Sequence, residues 1–352
     1  MKREPVYLTL YGRLKRDILS GGYPYGARFP SKRVTAEESG VSVVTAQHAY
    51  EILCDEGWLE ARERSGYFVA YRENDIAPQS SRNAGQELPP TADRGVSGMP
   101  FTAYARCLRR VLNEYGERLM EKSPNSGCLE LRSALSEYLA ARRGISVSPA
   151  QIVIGSGAEY LYGLIAQMLG DRGEFALEDP GYELIRRVYS GHGVHCDLLK
   201  MGHGGISSRE LRRTGAAVLH VTPFHSWPSG VTAGASKRNE YVRWARENNA
   251  WLVEDDFDSE LSASSKAEDT LFALAPDRVI HLNTFTRTVS PALRVGYMVL
   301  PETLVALYTE RAGYLSCSVP VTEQMVLSEL LRSGEFTRHV NRVRRQRRKQ
   351  DD

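Results

Sequence analysis

Seven short apolar runs, each ending in turn residues or acids, constrain the fold of most of this chain. They lie beyond residue 98 and read QIVIGSG, EFALEDPGY, HCDLLKM, AVLHVTPFH, WLVEDDF, RVIHLNTF and LRVGYMVLP. Runs of this length that are apolar throughout are typical of strands buried on both faces. Helical patterns such as AEYLYGLIAQML and SKRNEYVRWARENN separate several of them. The alternation predicts an α/β unit with a mixed, mostly parallel, seven-stranded sheet.

The first seventy or so residues predict a second, smaller unit. After an apolar-periodic first helix, Ser31 can cap a helix over 32–39 and Ser42 can cap another over 43–56. Val44 is expected among the apolar residues that face inward from that last helix. Two short strands with a polar tip between them follow. Helix, helix, tight turn, helix and hairpin are the layout of a winged helix-turn-helix.

A stretch rich in Pro, Ser, Gly, Asn and Asp separates the two parts and carries no apolar period. It predicts a flexible linker or, alternatively, a solvated loop. The predicted organisation is therefore a winged helix-turn-helix domain over 1–72, a linker over 73–97, a large α/β domain over 98–335 and a basic tail over 336–352. The tail is either a solvated helix or a further contact to DNA phosphates.

Composition excludes several classes of protein. The chain has 352 residues, too many for one ordinary domain, and a net charge of only +2. No apolar run approaches the roughly 20 residues that span a bilayer, so we expect no membrane partner. The five cysteines are scattered and lack CxxC spacing, which predicts free thiols in a reducing, cytoplasmic setting and no metal site.

The winged helix-turn-helix pattern predicts DNA contacts from two kinds of residue. Small polar residues at the start of the second helix of the motif can meet bases or phosphates, and cations at the preceding helix and on the wing can meet phosphates. The alternative is a winged helix used for protein contacts, with these charges solvated. The candidate DNA-binding residues are Lys32, Arg33, Ser42, Thr45, Gln47, Arg62, Arg64 and Gly66.

Several residues of the α/β part are candidates for an anionic ligand site at the carboxyl edge of the sheet. They comprise an acid at a strand end, an aromatic after a turn, a small-residue turn that opens a helix, and hydroxyls and an arginine near the last two strands. Each also has an ordinary structural explanation, as a strand-end cap, a core tyrosine or a surface charge. These candidates are Asp255, Tyr182, Ser156, Gly157, Thr284, Thr286 and Arg294.

Two groups of motifs resemble known families. PSKR, GVSVVTAQHAYEILCDEGWLE and RSGYFVA closely resemble the GntR-type winged helix-turn-helix. SPNSGCLELRSALSEYLAARRGI, IVIGSGAEYLYGLI, EDPGYE, HVTPFHSWPSGV, EDDFDSE and NTFTRTVSPALRVGYMVLP look like the aminotransferase-like domain of MocR-type regulators. Those proteins fuse the winged helix to a fold-type I pyridoxal 5'-phosphate domain. The resemblance implies a homodimeric transcription regulator that binds operator DNA and responds to a small-molecule effector.

The same resemblance implies a role for each ligand-site residue. Asp255 would partner the pyridine nitrogen, Tyr182 would stack on the ring, and His225 would lie near it. The phosphate would be held by Ser156, Gly157, Thr284, Thr286 and Arg294.

Departures from the family pattern surround this site. Arg287 stands where the family has the lysine that attaches the cofactor, and its guanidinium does not act as a neutral amine. Phe257 replaces a tyrosine, and Ala158 a polar residue. The chain is expected to stop where the family's small C-terminal domain begins. We therefore expect no catalysis, with pyridoxal phosphate or another small anion bound without a covalent link, or no ligand at all. An active aminotransferase and a decayed homologue are the alternatives.

Overall fold

The computed structural model describes residues 5–62, 65–71, 98–257, 259–261 and 269–351, which form two compact units, 1–93 and 94–352. The predicted linker over 73–97 and the candidate Arg64 lie outside the described residues.

The described residues of the first unit form three helices and a three-stranded sheet. Its elements are α1 Val6–Leu19, β1 Arg28–Phe29, α2 Lys32–Ser39, α3 Val43–Asp55, β2 Leu59–Arg62 and β3 Gly66–Val69. The antiparallel sheet has the order β1-β3-β2, and Arg62 pairs with Gly66 where β2 turns into β3. This is the winged helix-turn-helix that the sequence predicts, with the β2–β3 hairpin as the wing.

Local capping explains why the two helices of the motif begin where they do. The Ser31 hydroxyl accepts a hydrogen bond from the Val34 N–H, and the Ser42 hydroxyl accepts one from the Thr45 N–H. Gly40 ends α2 in the left-handed conformation, with φ 62°. Both predicted caps are confirmed.

One prediction about α3 is wrong. Val44 is 64% exposed and does not face inward. Ala46, Ala49 and Tyr50 are buried, because they lie on the side of α3 that packs against α1 and α2. Val44 therefore stands on the opposite, solvent-facing side.

The second unit alternates strands with helices. Its helices are α4 Phe101–Tyr115, α5 Leu129–Arg143, α6 Ala158–Leu169, α7 Glu183–Gly191, α8 Ser208–Arg213, α9 Ala235–Glu247, α10 Leu271–Leu274, α11 Glu302–Arg311, α12 Val321–Arg332 and α13 Glu335–Asp351. Its strands are β4 Ile152–Gly155, β5 Phe175–Asp179, β6 Cys196–Gly202, β7 Gly205–Ile206, β8 Val218–Val221, β9 Trp251–Asp255, β10 Val279–Thr284 and β11 Gly296–Val299. Short 3-10 turns lie at Gly116–Met120, Pro149–Gln151, Gly170–Arg172 and Ser259–Leu261.

These strands form one mixed sheet of the order β4-β11-β10-β9-β8-β5-β6-β7. The central pairs are parallel, whereas β11 runs antiparallel to both β10 and β4. All seven predicted strands are present. The sheet has an eighth, the two-residue β7, which pairs antiparallel with the end of β6. The predicted number of seven is therefore one too low, because so short an edge strand carries no apolar period.

Helices cover both faces of this sheet. One apolar core joins it to side chains of α4, α5, α9, α12 and α13, and a second joins it to α6, α7 and α11. The carboxyl ends of the parallel strands consequently meet at one edge between the two helical layers, where ligands bind in such folds.

The basic tail is the helix α13. Phe336, Val340 and Val343 are buried on one of its sides. Arg344 Nε and Arg347 Nη1 donate hydrogen bonds of 2.7 and 3.1 Å to the carbonyl oxygens of Glu260 and Leu261. The helix is thus packed along one side, and its remaining cations face outward.

Three features of the described residues bear on the ligands and partners of the chain. No helix among them combines the length and apolarity needed to cross a bilayer. No group of three or more His, Cys, Asp or Glu side chains among them is arranged to hold a metal ion. The five cysteines are free thiols.

Candidate functional site

The N-terminal end of α3 presents an exposed surface of mixed polarity. Ser42 and Thr45 turn their hydroxyls toward each other at 2.8 Å, so both take part in the helix cap. Gln47 is exposed, and its amide donates to Glu51 Oε1 at 2.9 Å. Val43 and Val44, which lie between Ser42 and Thr45 in the sequence, are 46% and 64% exposed. Exposed valines at this position offer apolar contacts of the kind that thymine methyl groups accept.

Two candidate cations lie at the start of α2. Arg33 is exposed, and Lys32 places its ammonium 5.7 Å from the centroid of the Tyr67 ring on β3. That contact links the α2 N-terminus to the wing, which orients the ammonium without neutralising it.

The wing carries a fixed arginine. Arg62 Nε and Nη2 donate to Glu60 Oε2 at 3.1 and 3.0 Å, and the guanidinium lies 4.5 Å from the Phe68 ring centroid. Gly66 has φ 102°, and a Cβ there would lie 3.7 Å from Arg28 Nε. Arg28, which sequence reasoning did not single out, is thus a further exposed cation beside the wing.

In the second unit, Asp255 ends β9 inside a buried polar network. It is 4% exposed, and the Tyr162 hydroxyl donates to its Oδ2. His220 Nε2 lies 3.7 Å from the same oxygen, and the Tyr189 hydroxyl lies 2.8 Å from His220 Nδ1. Burial, reinforced by the charge of Asp255, raises the pKa of both tyrosines well above the ordinary value. The phenols therefore stay protonated, so that Tyr162 donates to the Asp255 carboxylate while Tyr189 contacts His220.

A cleft of about 160 Å³ opens beside this network. Its lining includes Tyr182, which is 47% exposed, together with His220, Thr222 and the buried Glu178. Glu178 accepts hydrogen bonds from the Thr222 N–H at 3.2 Å and the Ser226 hydroxyl at 2.6 Å. Burial nevertheless raises the pKa of Glu178 to about 7. The structure thus brings Tyr182 to the same cleft as His220, which contacts Asp255.

The candidate anion-binding residues meet at the turn between β4 and α6. Gly157 has φ 103°, and a Cβ there would lie 3.1 Å from Arg294 Nη2 and 3.2 Å from Glu159 Oε2. The same Arg294 nitrogen lies 2.7 Å from the Glu159 carboxylate. Ser156, beside Gly157, is half-buried. Arg294 therefore lies beside Gly157, and Glu159 is a further residue at this turn that the sequence analysis did not identify.

Strand register places both groups on the same edge of the sheet. Asp255 on β9 pairs with Leu282 on β10. Two residues further along β10, Thr284 pairs with Gly296 on β11, and Gly296 pairs with Gly155 at the end of β4. The ends of β9 and β4 therefore lie at the same edge of the sheet, separated by β10 and β11, with neighbouring strands about 4.8 Å apart.

Arg287 and Thr286 follow β10 at this edge, and both are half-buried. The Arg287 guanidinium lies 5.3 Å from the centroid of the Phe257 ring. His225 is exposed with φ 52°, and its N–H donates to Thr232 Oγ1 at 3.2 Å. The Arg287 and Phe257 side chains therefore contact each other, and His225 is exposed on a bend of the chain.

The acid after Asp255 fixes this end of β9. Asp256 is fully buried, and its Oδ2 lies 2.5 Å from Nη2 of Arg143, whose side chain is 10% exposed. Burial lowers the pKa of Arg143, but the carboxylates of Asp256, Glu260 and Glu254 outweigh that effect and raise it. Arg143 therefore carries a permanent charge that compensates Asp256.

Two family models match this chain, one in each unit. Residues 6–69 match the family described as bacterial regulatory proteins, gntR family, and residues 107–351 match aminotransferase class I and II. Among solved structures, the α-aminoadipate aminotransferase LysN of Thermus thermophilus superimposes with a TM-score of 0.63 at 28% identity. The match covers 71% of this chain and 66%, just under two thirds, of that one.

Curated relatives match along nearly the whole chain. The HTH-type pyridoxine biosynthesis transcriptional regulator PdxR of Corynebacterium glutamicum is 32% identical over 97% of this chain and 76% of its own length. The probable rhizopine catabolism regulatory protein MocR of Rhizobium meliloti is 28% identical over 97% of this chain and 74% of its own. The chain therefore belongs to the MocR- and PdxR-type family of HTH-type regulators, in which a gntR-family helix-turn-helix unit precedes a class I and II aminotransferase unit.

Proposed function

We propose that this protein is a cytoplasmic, homodimeric transcription regulator that binds operator DNA through its winged helix. The observation that carries this proposal is the Ser42-capped N-terminal end of α3, which is exposed in a unit that also exposes Arg28, Arg33 and Arg62. In helix-turn-helix proteins this end of the second helix reads base edges, while residues around it bind phosphates. Val43, Val44 and Gln47 are our candidates for base contacts.

The proposed phosphate contacts come from α2 and the wing. Lys32 and Arg33 stand at the α2 N-terminus, and the wing candidates are Arg62, Gly66 and, from the sequence alone, Arg64. Ser42 and Thr45 support the interface through their cap, whose hydroxyls can also donate to a phosphate oxygen.

DNA binding can be tested by fluorescence anisotropy with a duplex selected from a random library. The salt dependence of Kd would be compared for the natural protein, Lys32→Ala and the control Arg209→Ala, an exposed arginine on α8. Losing one phosphate contact should reduce the slope of log K against log salt by about 0.9. We expect this reduction for Lys32→Ala alone. Equal slopes for both variants would refute the assignment, and equal affinity for selected and random duplexes would refute operator binding.

We also propose that the aminotransferase-like unit binds pyridoxal 5'-phosphate, or a related small anion, as an effector without a covalent link. The residues fit this group at both ends. At one end is the buried carboxylate of Asp255 beside His220 Nε2, a buried nitrogen with no hydrogen-bond partner among the described residues. At the other end, Gly157 has no side chain, so the space beside Arg294 that a Cβ would crowd stays open.

Each candidate then has a role toward the ligand. Asp255 would stabilise a protonated pyridine nitrogen, with Tyr182 and His225 near the ring. The phosphate would be held by Ser156, Gly157, Thr284, Thr286 and Arg294. When bound, pyridoxal phosphate supplies an electron-accepting ring, but Arg287 provides no neutral amine to engage it. We therefore assign no aminotransferase activity, and transamination with any common amino donor would contradict this assignment.

Ligand binding can be measured by equilibrium dialysis with pyridoxal phosphate. Asp255→Asn keeps the shape of the side chain and removes its charge, so it should weaken binding at least about tenfold, as expected for loss of one buried charge-assisted hydrogen bond. Asp277→Asn, which changes an exposed acid near the start of β10, should leave affinity unchanged. Equal affinity for all three proteins would place the ligand elsewhere, and no retention by the natural protein would refute this part of the proposal.

A further inference from the structure

The phosphate end of the candidate ligand site already contains an anion of the protein's own. Glu159 Oε2 lies 2.7 Å from Arg294 Nη2, and both atoms crowd the position of a Gly157 Cβ, at 3.2 and 3.1 Å. We propose that Glu159 is a resident counter-ion in this cup and sets how strongly the site discriminates for phosphate-bearing ligands. The inference rests on the ligand site proposed above and adds a specificity residue to it.

Geometry supports competition between Glu159 and a phosphate group. Arg294 brings a cation to this turn, and its terminal nitrogen donates to the Glu159 carboxylate beside Gly157. Glu159 stands in the first turn of α6, where the partial positive charge of the helix end favours an acid. Arg294 and the α6 N-terminus are also the groups that an incoming phosphate would use. A phosphate and Glu159 therefore compete for the same two positive charges.

Exposure makes this competition reversible. The Arg294 and Glu159 side chains are 54% and 37% exposed, so solvent weakens their attraction and either partner can be displaced. A phosphate-bearing ligand must break this pair and then remains close to the carboxylate, a like charge. A pyridine ligand without phosphate does neither. Glu159 should therefore lower the preference for the phosphorylated ligand.

The test compares pyridoxine 5'-phosphate with pyridoxine, which lack the aldehyde and do not react with surface lysines. Their dissociation constants would be measured by isothermal titration for the natural protein, Glu159→Gln and the control Glu302→Gln. Glu302 is an exposed acid at the corresponding position of α11, the first helical turn. An exposed ion pair contributes up to about 1 kcal/mol, which corresponds to about a fivefold change in affinity. We expect the ratio of the two constants to favour the phosphate ester about fivefold more in Glu159→Gln, with no change in Glu302→Gln.

Two results would overturn the inference, and a third would separate it from the function proposed above. If the ratio of the two dissociation constants is unchanged in Glu159→Gln, the role of Glu159 is refuted and the ligand site is left intact. The same conclusion follows if Glu302→Gln changes that ratio as much as Glu159→Gln does. If no protein binds either pyridine, the ligand proposal fails. In that case the change in Tm on adding inorganic phosphate tests the role of Glu159. A rise in Tm for Glu159→Gln that is absent in the natural protein would support the counter-ion, and equal changes in Tm for the two proteins would refute it.

Discussion

Replacing Arg143 by methionine should destabilise the aminotransferase-like unit strongly. The pair that it forms with Asp256 has an N–O distance of 2.5 Å, with side-chain exposures of 10% and 0%. Methionine keeps much of the apolar volume but removes the only partner shown for Asp256 Oδ2 among the described residues. Breaking a buried ion pair by removing one member costs about 3–5 kcal/mol, because the remaining charge stays buried. For a unit of this size, that corresponds to a fall in Tm of about 10 °C.

A matched control separates this effect from the general cost of losing an arginine. Arg118 and Glu130 also form an ion pair, but at 3.9 Å and with exposures of 67% and 33%. Arg118→Met should cost less than about 1 kcal/mol. The free energy of unfolding would be measured by urea titration for both variants. The double variant Arg143→Met/Asp256→Leu removes both charges, and we expect it to recover most of the loss.

The reasoning would be refuted if Arg143→Met lost no more stability than Arg118→Met. It would also be refuted if the double variant were less stable than Arg143→Met, since Asp256 would then stabilise the fold without its partner. The prediction bears on function because Asp256 directly follows Asp255, and its N–H donates to the Leu282 carbonyl oxygen. The pair therefore helps to fix the strand end that carries the Asp255 carboxylate.

Three further predictions concern single side chains. Arg287→Lys should restore covalent retention of pyridoxal phosphate, seen by mass spectrometry after borohydride reduction; no adduct at residue 287 would show that the surrounding site has lost its shape. Burial raises the pKa of Glu178 from 4.5 to about 7. Between these pH values the folded protein keeps the Glu178 proton and the unfolded chain loses it, so the free energy of unfolding falls as pH rises from 4.5 to 7. Glu178→Gln should flatten that fall by up to about 1.4 kcal/mol per pH unit, measured by urea unfolding at pH 5 and pH 7, and an unchanged slope would contradict the raised pKa. Ser42→Ala should lower the free energy of unfolding of the winged helix, measured by urea titration, by about 1 kcal/mol. Ser65 is exposed and serves as the control. Equal stability of Ser42→Ala and Ser65→Ala would contradict a stabilising role of the Ser42 cap.

The parts of the fold that depend on local chemistry were predictable from sequence. Ser31 and Ser42 cap the helices that they precede because an N-cap needs only a hydroxyl and the next three residues. Val44 was not predictable in this way, because apolar residues occur on more than one side of α3. Which side is buried depends on how α1 and α2 pack against it, and that packing joins residues far apart in the chain.

The sheet shows the same division. Seven strands could be predicted from the sequence because each is an apolar run bounded by turn residues. The eighth, Gly205–Ile206, was not, because two residues carry no period and their pairing with Met201 and Gly202 depends on a tight turn at the sheet edge. A short edge strand of this kind is set by geometry and not by composition.

For the ligand site, sequence reasoning supplied the residues at strand ends but not their partners. Asp255 and Gly157 were readable because each lies where a strand meets a turn. Tyr162 contacts Asp255 across 93 residues of sequence, and Glu159 contacts Arg294 across 135. Such contacts depend on the placement of α6 against the sheet. Tyr162 also lies in α6, where core packing alone explains the apolar sequence pattern, so nothing in the local sequence marked Tyr162 as a partner of Asp255.

The two ends of the proposed ligand site differ physically, and this difference suits a sensor. The Asp255 end is buried and held by Tyr162 and His220, so it is ordered before a ligand arrives. The Arg294 end is an exposed ion pair that a ligand can open. A cofactor held by a lysine stays bound when its free concentration falls, whereas a ligand held only by these contacts dissociates. With Arg287 in the lysine position, occupancy would follow the free ligand concentration through Kd. Under this proposal, Arg287 would both leave the site without a Schiff-base amine and make it responsive to effector concentration.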